Sequence, residues 1–108
     1  MKNVFHKLSL LVKYAIEGDK KRIKELLTVE FVKTVKRDAQ NSYFVCGLCA
    51  LSGMKDEALD WLENSVDRGF FNFPFISKYD PFLENIRSEE RFKKLMERVE
   101  HEWENFEV

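Results

Sequence analysis

Two cysteines form the motif of the sequence with the clearest capacity for chemistry. Cys46 and Cys49 have the C-x-x-C spacing of thiol redox pairs and of half a zinc site. A redox pair needs its first thiol at a helix N-terminus, where the dipole lowers the thiol pKa, but the flanking pattern puts this motif inside a helix. Zinc needs four ligands, and His6 and His101 lie near opposite ends of the sequence. We interpret both cysteines as buried thiols, with a thiol redox or metal-binding site as the alternative.

No other group of side chains has the pattern of an active site. Ser52, Ser65 and Ser88 lie at predicted helix ends, where capping accounts for them, and neither histidine has a catalytic partner close in sequence. Neither a phosphate-cradling loop nor a dinucleotide-binding fingerprint is present. We therefore expect a protein that is not an enzyme and that uses no cofactor and no metal.

Charge is distributed unevenly along the chain although the total is −1. Residues 1–38 carry ten Lys or Arg and five Asp or Glu, whereas residues 39–108 carry eight and fourteen. Glu17, Glu25 and Glu30 interrupt the basic segment, and Lys/Glu pairs at helical spacing account for much of it. We interpret the two halves as solvated helical surfaces of opposite sign and expect no nucleic-acid partner.

Length and composition favour one folded domain over 1–108. The chain has 108 residues, 44% hydrophobic and 14% aromatic, with few Gly and Pro, which argues against both disorder and a turn-rich all-β domain. The first apolar run, 8–12, is too short for a signal peptide, and the longest uncharged stretch, 39–54, is too short and too polar for a spanning helix. We expect a cytoplasmic protein without a membrane partner.

Apolar residues recur at helical spacing through most of the chain. The spacing predicts a helix over 4–16, one or two helices over 20–37 with Thr28 as a candidate cap between them, and helices from Asn41 or Ser42 to Ser52 and from Asp56 to Arg68. The aromatic segment 70–76 is predicted to pack against the protein, Asp80-Pro81 to start a short helical turn, and Ser88 to start a final helix.

The helical pattern repeats with an offset of 35 residues, which aligns Gly18 with Gly53. Residues 43–63, with Gly53 at the turn and Ala58 four positions before Leu62, resemble a tetratricopeptide repeat, and the segment that follows resembles the closing part of such proteins. This resemblance implies an all-α stack of helical hairpins: a degenerate hairpin over 1–38, a repeat-like hairpin over 40–69, and an aromatic loop with a capping helix over 70–108.

The same resemblance implies a protein-interaction module or scaffold. The first helix of each hairpin lines a groove that binds a peptide or a partner helix in such proteins. The corresponding residues here are Phe5, Leu8, Val12, Gln40, Tyr43, Gly47, Ala50 and Leu51. The alternative occupants of this lining are the C-terminal helix of the same chain and a second subunit in a homodimer.

Overall fold

Six α-helices, a π-helical turn and a 3₁₀ helix make up most of the described chain. The computed structural model describes residues 2–70 and 72–105, with side chains from residue 6 onward. The helices are α1 (Lys2–Glu17), α2 (Lys20–Leu26), α3 (Val29–Lys36), α4 (Ala39–Leu51), α5 (Lys55–Asp67) and α6 (Glu90–Asn105), with the π-helical turn at Phe75–Tyr79 and the 3₁₀ helix at Pro81–Ile86. No strand occurs in these described ranges, and the prediction of an all-α fold is confirmed.

Side-chain caps determine where the N-terminal helices begin. Asp19 accepts a hydrogen bond from the Arg22 backbone NH (3.1 Å), so α2 starts directly after the turn at Gly18, whose φ is +71°. Thr28 accepts from the Phe31 backbone NH (3.2 Å). The segment 20–37 is therefore two short helices that are separated at Thr28.

The predicted start of α4 at Asn41 or Ser42 is wrong. Asp38 is the cap, because its carboxylate accepts from the Asn41 backbone NH at 2.9 Å. Ser42 is fully buried inside the helix, and its hydroxyl donates to the Val35 carbonyl oxygen. The next helix, α5, begins at Lys55, so Asp56, the predicted start, lies within its first turn.

Helix α4 lies at the centre of the fold and carries no charged residue. It contacts α1, α3, α5 and the 3₁₀ helix. Polar side chains of α5 fix the start of α4: Asn64 donates to the Ser42 hydroxyl at 2.9 Å, and Ser65 donates to the Ala39 carbonyl oxygen at 2.8 Å. Because neighbours cover most of its circumference, α4 leaves only a narrow strip exposed.

The segment 72–87 has three fully buried side chains, Ile76, Leu83 and Ile86, and its 3₁₀ helix contacts α4 and α5. Helix α6 buries Phe92, Leu95, Met96 and Val99 on one side, while residues 100–105 are exposed. Phe106, whose spacing in the sequence continues that apolar side, lies outside the described residues. Within the described ranges, no helix combines the length and apolar character that crossing a membrane requires.

Candidate functional site

An open groove runs over the exposed strip of α4. The strip consists of Gln40, Phe44 and Leu51, with Gly47 between the last two. Two recesses meet at Gln40 and Phe44. The aromatic recess, of about 390 Å³, is lined by Gln40, Tyr43, Phe44, Gly47, Phe70, Phe75, Asp80, Pro81 and Phe82. The helix-edge recess, of about 450 Å³, is lined by Leu8, Ser9, Val12, Gln40, Asn41 and Phe44. We call the two together the α4 groove.

Phenylalanine rings remain open to solvent in the aromatic recess. Phe44, Phe75 and Phe82 are 39%, 40% and 40% exposed. The ring centroid of Tyr43 lies 4.5 Å from that of Phe70 and 6.3 Å from that of Phe75. Exposing this much aromatic surface in a concave site forgoes the free energy of burial, so the recess is suited to covering by a ligand.

One carboxylate, that of Asp80, lies in the mostly apolar lining of the aromatic recess. Asp80 is only 7% exposed, and it accepts hydrogen bonds from the Tyr43 hydroxyl and from the Phe82 backbone NH (2.9 Å). Burial, followed by the hydrogen bond to Asp80, raises the pKa of the Tyr43 phenol far above its ordinary value. The phenol therefore stays protonated and keeps donating to the carboxylate.

Glycine at position 47 permits the close approach of the opposite wall. A Cβ atom at Gly47 would lie 3.2 Å from Cδ2 of Phe82, closer than side chains normally approach. The Phe82 ring therefore packs close to the α4 backbone at Gly47, and both residues line the aromatic recess.

Two further side chains hold this wall in place. Asn85 donates to the Ala50 carbonyl oxygen at 3.0 Å, which links the 3₁₀ helix to α4. One guanidinium nitrogen of Arg87, Nη2, donates to the carbonyl oxygens of Asp80 (2.7 Å) and Ile76 (3.2 Å). The two bonds of Arg87 join the beginning and the end of the turn from Ile76 to Asp80.

The structure brings together most of the predicted groove residues. Leu8, Val12, Gln40, Tyr43 and Gly47 line the α4 groove. The other three do not: Ala50 is fully buried, Leu51 is 41% exposed but lines neither recess, and the side chain of Phe5 lies outside the described residues.

Sequence reasoning missed the second wall of the groove. Phe70, Phe75, Asp80 and Phe82 lie in a segment without helical periodicity, which was predicted to pack down but was not assigned to the groove. The available signal was the density of Phe between two turn markers, Pro74 and Pro81.

The two thiols are inaccessible. Cys46 and Cys49 are at most 1% exposed and are not bonded to each other. Burial, with a smaller contribution from Glu57, raises the pKa of Cys49 to about 12, and burial raises that of Cys46 as well. Among the residues whose positions are described, no group of three or more His, Cys, Asp or Glu side chains could hold a metal ion.

Comparison with protein families gives one match that covers nearly the whole chain. The family described as "A/B hydrolase-like, N-terminal domain" matches residues 8–106. Neither the curated proteins nor the solved structures contain a match to the chain.

The tetratricopeptide prediction is wrong, because the family that matches is a different one. The residues that suggested it serve a more general purpose. Gly53 has a φ of +80° and turns the chain between α4 and α5, and small buried side chains such as Ala58 allow two helices to pack closely. Any tightly packed helical hairpin has these requirements.

Proposed function

Since the chain belongs to the A/B hydrolase-like, N-terminal domain family, we propose that it is a non-catalytic domain that binds a protein segment in the α4 groove. The family description refers to an N-terminal domain of hydrolase-like proteins, which supports a role beside a catalytic domain. The raised pKa and the burial of Cys49 argue against the alternative of thiol chemistry.

The observation that carries the proposal is the exposed aromatic strip at the floor of the groove. Each recess has a volume within the roughly 300–1,000 Å³ typical of binding pockets. Aromatic side chains in concave, water-excluding sites contribute a large share of binding energy in protein interfaces. Phe44 borders both recesses, so one bound segment contacts the two of them around this ring.

The shape of the groove favours an apolar helix or a short extended peptide as the occupant. The residues of α4 that line the groove run from Gln40 to Gly47, which corresponds to about 10 Å at the rise of an α-helix. About two turns of a partner helix, or about three extended residues, cover that length. A bound helix would present apolar anchors at helical spacing.

The test uses peptides selected from a random display library on the immobilised protein. Phe44→Glu, which puts a charge in the groove, is expected to weaken binding of the selected peptides about tenfold or more. Val29→Glu is the matched control, because Val29 is 73% exposed and lines neither recess, and it should leave affinity unchanged. Amide chemical shifts should change along α4 and 70–82.

Equal affinity for both variants would contradict a site in the groove. Self-association is tested by sedimentation of the free protein. A concentration-dependent dimer that Phe44→Glu dissociates would show that a second copy, and not a peptide, occupies the groove.

A further inference from the structure

We propose that the aromatic recess binds an alkylammonium group, supplied by a basic side chain of the segment that occupies the α4 groove. This rests on the proposed function and adds the chemical identity of the partner's anchor residue. The inference follows from two independent features of the recess, its aromatic surface and its carboxylate.

Five aromatic side chains surround the recess, namely Tyr43, Phe44, Phe70, Phe75 and Phe82. The face of an aromatic ring carries negative electrostatic potential, and it attracts an ammonium group that lies within about 6 Å of the ring centroid. Sites that recognise lysine derivatives and quaternary ammonium groups are built from several such rings. Three of the rings here are partly open to solvent, so a ligand has access to them.

The carboxylate of Asp80 supplies the negative charge that such a site needs. It lines the recess and is more than nine-tenths buried. The hydrogen-bond partners of the carboxylate are neutral donors, the Tyr43 hydroxyl and the Phe82 backbone NH, and among the described residues it forms no ion pair. None of the described residues that line the recess is Lys, Arg or His.

The two cationic side chains of the segment 72–87, Lys78 and Arg87, do not line the aromatic recess. Arg87 donates to backbone carbonyl oxygens and pairs with Glu84 at 3.2 Å. It lines a separate recess, together with Phe73 and Phe92. A cation from outside the domain is therefore the natural counterion on the groove side of Asp80.

The helix-edge recess has different chemistry. Leu8 and Val12 form its apolar wall, and its lining contains no charged side chain among the described residues. Because Phe44 separates the two recesses, the groove selects for a basic residue at one end and an aliphatic residue at the other. A segment with both has a defined direction of binding.

The experiment titrates the full chain with two pairs of small probes that differ in charge and share a shape. The pairs are n-butylammonium with 1-butanol, and choline with 3,3-dimethylbutan-1-ol. Amide chemical shifts give the affinities. We expect each cation to bind roughly tenfold more tightly than its neutral partner, with shifts centred on residues 43, 75 and 80–82.

Asp80→Asn keeps an acceptor for the Phe82 NH, removes the charge, and replaces the oxygen that accepts from the Tyr43 hydroxyl by an amide group that donates to it. It should abolish the preference for the cations. Asp19→Asn is the control, because Asp19 is also a helix cap but lies outside the groove. If Asp80→Asn does not fold, Phe75→Leu tests the aromatic contribution and should reduce the preference severalfold. Tyr79→Leu, which removes a 69% exposed ring outside the recess, should not.

Equal binding of charged and neutral probes, or no binding of either cation, would overturn the inference. The peptide selection separates this failure from failure of the proposed function. Peptides that bind the groove and contain no Lys or Arg would leave the function standing and remove the ammonium site.

Discussion

Helices α4 and α6 reach the same depth of burial by opposite means. Val45 of α4 and Val99 of α6 are both fully buried. However, α4 has no charged residue among thirteen, whereas α6 has nine among sixteen, with its apolar side chains on one face. A helix covered on most sides has no solvated face to keep polar, so its small exposed strip is free to be apolar. That strip is where the groove lies.

The largest expected effect concerns a new negative charge on a buried face of α4 compared with one on the exposed face of α6. Ala50→Asp puts an unpaired carboxylate on the fully buried side of α4 and should cost at least about 3–5 kcal/mol of unfolding free energy. Lys94→Asp on the exposed face of α6 should change it by less than about 0.5 kcal/mol. Urea unfolding measures both, and similar losses would show that Ala50 does not lie on a buried face of α4.

The rate of thiol labelling gives a second comparison between the buried face of α4 and the exposed face of α6. The pKa of Cys49 is raised from 9.0 to about 12, so its thiolate fraction at pH 8 is about a thousandfold below that of an ordinary thiol. Labelling with an aromatic disulfide should be at least that much slower than for Lys94→Cys on α6. Labelling of both native cysteines at the rate of the α6 thiol would restore the redox alternative.

The raised pKa of Cys49 makes the free energy of unfolding depend on pH. The Cys49 thiol holds its proton more tightly in the folded protein than in the unfolded chain. Its contribution to the free energy of unfolding is therefore complete below pH 9.0, where the thiol is protonated in both states. As pH rises from about 9 towards 12, the unfolded state ionises first, and the free energy of unfolding should fall. In a variant with both cysteines replaced by alanine, this part of the slope should disappear.

The end of α4 depends on one backbone position. Gly53 has a φ of +80°, a conformation that a β-branched residue adopts only with strain. Gly53→Val should lower the free energy of unfolding by roughly 1–3 kcal/mol. Gly53→Asn should cost less, since Asn tolerates this region. Thermal melts of the pair measure the difference, and equal stability of Gly53→Val and the parent would remove this requirement.

The smallest effect is expected on the surface of α6. Arg91 donates to Asp60 (2.7 Å) and Glu63 (2.8 Å) of α5, but all three side chains are substantially exposed. Arg91→Gln should cost about 0.5–1 kcal/mol at low salt, and less as salt rises. A larger loss that persists in high salt would mean that α6 is held by polar contacts as well as by its apolar face.

The contrast between these helices also explains what could be predicted from the sequence. The apolar stripe of α6 identified its buried face directly, because one face is solvated and the other is not. For α4 the pattern has no such contrast: Asn41 and Ser42 were the predicted starts, and the cap is Asp38. Only the fold decides among them, since Ser42 finds its partner at Val35.

The groove was predictable on one side only. The lining residues of α1 lie on one face of that helix, and those of α4 lie on one face of theirs. The spacing along each helix therefore predicted that Val12 and Gln40 line the groove. The other wall depends on contacts such as Tyr43 with Asp80, which are 37 residues apart. Local periodicity carries no information about pairs at that separation.

Ile76, Leu83 and Ile86 have a consequence for the kinetics of binding. These three anchors hold the second wall of the groove in the core of the free protein. In the proposed function, the binding surface therefore exists before a ligand arrives, and association would cost little conformational entropy on the side of the domain. Most of the ordering cost falls on the incoming segment. Stiffening that segment, for instance by cyclisation, should slow its dissociation while the backbone of the domain hardly moves.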